Sequence, residues 1–144
     1  MTSTHEFTRF QSAVPNRLGT FPGVFALVNG LGREGSLDTA DEAWRRRMND
    51  GITALYLDPT TVDPTCYDRQ INPGARAWFR CTATHLLDLT AEYLTVLDRY
   101  SVPWVELSTR SPGTVVYADD VQVVAVPYRH PDDWPLRERT PVPV

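Results

Sequence analysis

Lysine is missing from this chain: all 14 of its basic residues are arginine. Arginine codons are mostly GC-rich and lysine codons are not, so a GC-rich coding sequence is the first explanation. The preference for arginine at bidentate and stacked contacts is the second. Cysteine is scarce too. Two cysteines, Cys66 and Cys81, in a chain with no secretory leader are expected as thiols rather than as a disulfide. Histidine occurs three times, and neither a Cys-x-x-Cys nor a His-x-x-x-His pair is present, so the common structural-zinc spacings are lacking and no metal is expected. No apolar run approaches the length of a membrane span. The start, Met1-Thr-Ser-Thr-His-Glu, has neither the basic residues nor the apolar stretch of a leader, and a cytoplasmic location is the expectation. The net charge of −4 tells against a general nucleic-acid or anionic-membrane binder, while leaving room for a local basic patch.

What is present fits one globular domain. The 144 residues can bury a core, and 42% hydrophobic with 22% charged residues is ordinary for such a chain. The clearest pattern is helical. Between residues 84 and 100, Leu86, Leu89, Tyr93, Leu97 and Tyr100 recur at helical spacing, with Leu87, Ala91 and Leu94 widening the stripe. Pro103 disfavours helical geometry at Val102 and ends the helix. Strands flank it. Ala77, Phe79 and Cys81 alternate with Trp78, Arg80 and Thr82, and Val105 and Leu107 alternate with Trp104, Glu106 and Ser108. After the turn at Arg110-Ser-Pro-Gly, residues 114–118 and 121–127 read as a hairpin around Asp119-Asp120.

The first half of the chain is less clear. Phe7 and Phe10 suggest a short helix within an irregular segment 1–22. The apolar run 23–28 reads as a strand buried on both faces, and 52–57 as another. Between them, Thr39 and Glu42 form a capping box that opens a helix, with Asn49-Asp50-Gly51 as its stop. The expected fold is therefore α+β, with the β-α-β-β-α-β order of a ferredoxin-like fold, an added C-terminal β-hairpin and two helices on one sheet face. The domain would span 23–128, followed by a proline-rich tail over 129–144.

Several groups of residues could carry function. Gly30, Gly32 and Gly35 match the Gly-x-Gly-x-x-Gly spacing of a dinucleotide loop, but Ser36 and Leu37 separate them from the next helix, and no cofactor is expected. The aperiodic stretch 58–74 holds Cys66-Tyr67-Asp68-Arg69, the most chemically varied cluster in the chain, and a loop that long in a small domain suggests function. Cys66 and His85 could form a nucleophile–base pair oriented by Asp68 or Asp88, with Arg69 or Arg80 as an anion clamp; that would make a small transferase or hydrolase. The other candidate is a face. Strand alternation sets Trp78, Arg80, Trp104 and Glu106 opposite the apolar positions, with Gln122 joining them, and exposed aromatics with arginine are what interfaces use. The preferred expectation is a binding or interaction protein without catalysis. It would contact a protein or small-molecule partner through that face, with Tyr67 and Arg69 as further binding candidates.

Overall fold

The run that opens at Val24 is a helix, not a strand. In the computed structural model, which describes residues 6–128, the elements are β1 (Phe7–Ser12), α1 (Val24–Arg33), α2 (Thr39–Leu55), α3 (Pro59–Val62), β2 (Arg76–Arg80), α4 (Thr84–Arg99), β3 (Trp104–Thr109), β4 (Thr114–Ala118) and β5 (Gln122–Val126). The class is α+β, as expected. The order is β-α-α-α-β-α-β-β-β, and the strands form one antiparallel sheet in the order β3-β1-β2-β5-β4. This corrects the ferredoxin-like expectation. Two of the expected strands are helical, and the observed strand β1 was not expected.

Each correction has a local cause. Val24-Phe-Ala-Leu-Val is too short a run to separate a helix from a buried strand by period. Its burial is helical, with Val24 and Val28 enclosed and Ala26 exposed. The segment read as the strand 52–57 is largely the last turn of α2, which runs through Gly51. A helical glycine costs about 1 kcal/mol relative to alanine, which weakens a helix without stopping it. The N-cap is Asp38, whose Oδ1 accepts from Asp41 N at 2.7 Å. Around Phe7 and Phe10 the chain is β1, inside the segment expected to be irregular. The proline-rich tail 129–144 lies outside the described residues. No helix among the described residues is long and apolar enough to cross a membrane.

The glycine pattern falls at the wrong end of a helix for a phosphate loop. Gly30 and Gly32 lie in the last turns of α1, and Gly35 follows it with φ 73°. Phosphates favour helix N-termini, where amide hydrogens point outward. Gly32 has a packing reason instead: a side chain there would run into Arg45 of α2.

The chain groups into two compact units. Among the described residues the first comprises 6–9, Pro59–Leu87 and 106–128. Its centre is β5, where Gln122, Val123, Val124 and Ala125 are all buried, so neither side of that strand is open. Across β2 and β5, Trp78 stands opposite Val123 and Phe79 opposite Gln122. The hairpin turn is held by Asp119, whose carboxylate accepts from Val121 N, Gln122 N and the Tyr117 hydroxyl.

The second unit comprises Phe10–Asp58 and Asp88–Val105. Asn29 Oδ1 accepts from Arg45 Nη1 at 3.0 Å and from Asn49 Nδ2 at 2.8 Å, which ties α1 to α2. Asp41, buried in α2, accepts from the Tyr100 hydroxyl at 2.7 Å and from Arg99 Nη2 at 2.6 Å. The Tyr100 hydrogen bond, with Arg99 behind it, holds the Asp41 carboxyl below its usual value against the opposing effect of burial. Arg45 and then Arg46 hold Glu42 down to about 2. A carboxylate whose folded pKa is depressed adds stability above its unfolded pKa and loses it as pH falls through the folded one. Stability should therefore decline on acidification below about pH 4, the unfolded carboxylate range. The Asp41→Asn/Glu42→Gln double variant should flatten that decline. Urea midpoints from pH 7 to pH 2 test this; a slope unchanged in the double variant would discount both groups.

Candidate functional site

The stretch between α3 and β2 has little regular structure, but its side chains hold its shape. Asp63 Oδ1 accepts from Thr65 N and Thr65 Oγ1, and Asp68 Oδ1 accepts from Gln70 N and Ile71 N. Asn72 Nδ2 donates to Thr65 O at 3.0 Å. Short aspartate and asparagine side chains close such turns by satisfying amides two or three residues on. One residue anchors the stretch inward: Cys66, 0% exposed, packs with Tyr117 and Val124. Around that anchor Tyr67, Asp68, Arg69 and Ile71 are all exposed.

This arrangement bears on the expected nucleophile. The Cys66 thiol is enclosed in an apolar cluster, whereas His85 is exposed in the first turn of α4. Asp68 is engaged with the amides of its own loop. A reactive cysteine needs an accessible thiolate, and Cys66, 0% exposed, is not accessible. The second thiol, Cys81, is partly exposed. Burial, then the charges of Glu106 and Glu6, push its pKa up, away from reactivity. Among the described residues no three His, Cys, Asp or Glu side chains gather as metal ligands do.

The expected binding face divides. Alternation along β2 holds, since Trp78 and Phe79 meet different partners on β5, but Trp78 is only 1% exposed and cannot be a surface anchor. Gln122 stands opposite Phe79, on the other side from Trp78 and Arg80, and is itself buried. Glu106 Oε2 accepts from Thr8 Oγ1 at 3.0 Å, and Thr8 is the β1 partner of Phe79. Arg80 donates from Nε to Asp119 O at 2.8 Å and lies 5.6 Å from the centre of the Phe7 ring, its cross-strand neighbour. Arg80 and Glu106 thus form no ion pair among the described residues. Trp104 belongs to the second unit. It is half-buried, donates from Nε1 to Asp98 Oδ1 at 2.9 Å, and meets the Phe10 ring edge-on at 6.0 Å.

Two arginines that the sequence reading passed over come together beside the 59–75 stretch. Arg9 reaches from β1 to β2, where its Nη1 donates to Ala77 O at 2.9 Å. The residue before Ala77 is Arg76. Both guanidiniums are partly buried. Burial first, and then repulsion from Arg76, push Arg9 down to about 9, with Tyr67 acting in the opposite direction. Burial pushes Arg76 down to about 10. Both stay charged at neutral pH. Sequence offered one signal for this cluster: Arg76 continues the Trp78–Arg80 alternation by one step. Arg9 carried none, because only the pairing of β1 with β2 brings it there. No family model, curated protein or solved structure matches this chain.

Proposed function

We propose that this is a small cytoplasmic binding protein without catalysis of its own, and that it takes its ligand or partner at the 59–75 stretch and the arginines beside it. The observation that carries this reading is a shape-holding loop that displays apolar side chains. Val62, Tyr67 and Ile71 are 58%, 39% and 60% exposed, while aspartate and asparagine hydrogen bonds fix the backbone between them. A loop fixed in this way loses little further entropy on binding. Aromatic and apolar groups with arginines nearby are the composition of interface centres. The catalytic alternative built on Cys66 is disfavoured by the burial of that thiol.

The test is a series of amide spectra of the isotopically labelled full chain, recorded against a library of uncharged aromatic fragments. Shifts should cluster on residues 62–76. Shifts confined to other parts of the chain, or none at millimolar fragment, would overturn the reading. On the same sample iodoacetamide at neutral pH should label Cys81 well before Cys66. Faster labelling of Cys66 would bring back the enzyme reading.

A further inference from the structure

Helix α2 uses one side within the chain and leaves the other open. On the used side Asp41 accepts from Arg99 and Tyr100, while Arg45 and Asn49 donate to Asn29. On the open side Ala43, Arg47, Asp50 and Ala54 are all exposed. They stand at i, i+4, i+7 and i+11, so they form one line along the helix.

The two charges on that line have no use within the chain. Glu42 takes both Arg45 and Arg46. Arg47 and Asp50 enter no ion pair or side-chain hydrogen bond among the described residues. They are close enough on the helix to meet, but the cation precedes the anion, which is the weaker order for a pair within one helix.

Their spacing suits a second copy of the chain. Two α2 helices laid antiparallel, with the twofold axis between Met48 and Asn49, set Arg47 of each copy level with Asp50 of the other. The same axis sets Ala43 level with Ala54, and such small side chains let helix axes approach closely. Opposite charges then meet twice. A parallel pair would set Arg47 against Arg47 and Asp50 against Asp50, so charge selects the antiparallel one. Gly51, which borders the line, agrees with this. A side chain there would meet nothing of its own chain, so no internal packing accounts for a poor helix former at that position. A helix laid across the face would account for it.

We infer that two copies of this chain associate through the open face of α2, antiparallel, with Arg47 of each copy paired to Asp50 of the other. The face belongs to the second unit, and the inference goes beyond the ligand-contact reading of the 59–75 stretch without resting on it. The face is that of a single helix about 25 Å long, less than a stable dimer buries, and the association is accordingly weak and reversible.

Sedimentation velocity of the full chain, at up to about 1 mM and roughly physiological ionic strength, provides the test. The mean mass should rise with concentration toward that of two chains. Arg47→Glu sets like charges opposite each other and should weaken association roughly tenfold or more, as should Asp50→Arg. Mixing the two single variants should restore it, because each then meets opposite charge in the other. The double variant Arg47→Glu/Asp50→Arg should associate like the unaltered chain. Amide spectra of the unaltered, isotopically labelled chain at low and high concentration need no variant, so a failure of either single variant to fold leaves the test intact. Concentration-dependent shifts should fall on residues 39–55. No rise in mass, association unchanged in either single variant, no rescue in the mixture, or shifts confined to other parts of the chain would overturn the inference.

Discussion

Trp78→Ala is expected to cost about 3–5 kcal/mol of folding stability, the scale for truncating a large aromatic in a core. The ring is 1% exposed, and the residue opposite it, Val123, is as deeply buried. Because a domain of this size has roughly 5–15 kcal/mol in all, the variant should be marginal at room temperature. Urea denaturation reads the loss directly. A change below about 0.5 kcal/mol, the usual scale for surface positions, would return Trp78 to the surface and reopen the original binding face. The structure anticipates the larger value because β5 is covered on both sides. Alternation along β2 does separate Trp78 from Phe79, but it identifies opposite faces without saying which of them is wet. In a two-stranded hairpin one side is usually open; in the middle of this sheet neither is.

The same distinction explains what sequence made legible. Helix α4 and strands β3, β4 and β5 follow from period alone, within a residue or two of their observed bounds. Even there the packed stripe of α4 is rotated from the expected one. Leu86, Thr90, Tyr93 and Leu97 are buried, whereas Leu89 is half-exposed. Thr90 was no part of the expected stripe, yet a threonine's methyl group lets it serve in a core. Strand β1 was illegible because its burial does not alternate. Phe7 and Thr8 are both enclosed, Arg9 and Phe10 are both partly open, and Gln11 and Ser12 are both enclosed again. Helix α2 was expected from Thr39 and only its last turn was hidden, while α1 was hidden by an apolar run too short to show its period. Gly30 and Gly32 mimic a nucleotide loop, and Gly51 mimics a helix stop.

The candidate site was half legible. The 58–74 stretch was found because it lacked period and held varied side chains, and it does display Tyr67 and Arg69 at the surface. Its chemistry was misjudged at Cys66, since nothing local reveals that one residue of a polar loop turns inward to Tyr117 and Val124. Arg9 lies 67 positions before Arg76, and only strand pairing makes them neighbours. Contacts so distant along the chain leave no signal in a single sequence.

The second large effect is expected at Tyr93, in the second unit. Tyr93 is 0% exposed. The Phe25 ring meets it edge-on at 4.7 Å, and the Trp44 ring is tilted to it at 4.9 Å. Such aromatic contacts add about 0.5–1.5 kcal/mol each to the area they bury. At its far end the hydroxyl donates to Asn49 Oδ1 at 2.7 Å, and Asn49 in turn donates to Asn29. One side chain of α4 thus holds the ring contacts and completes the polar chain that joins α1 to α2. Burial pushes its pKa up to about 12, so it stays a neutral donor throughout the physiological range. Tyr93→Ala should cost about 3–5 kcal/mol by the lost ring and its cavity. Tyr93→Phe keeps the ring and removes only the donor to Asn49, a loss of about 1–3 kcal/mol if the acceptor is left unsatisfied. A double-mutant cycle with Asn49→Ala separates the two contributions, because the hydrogen bond appears only in the coupling term. Coupling near zero would mean that Asn49 holds the two helices together without Tyr93. A Tyr93→Ala loss below about 1 kcal/mol would remove the ring from the core altogether, since buried aromatics do not come out so cheaply.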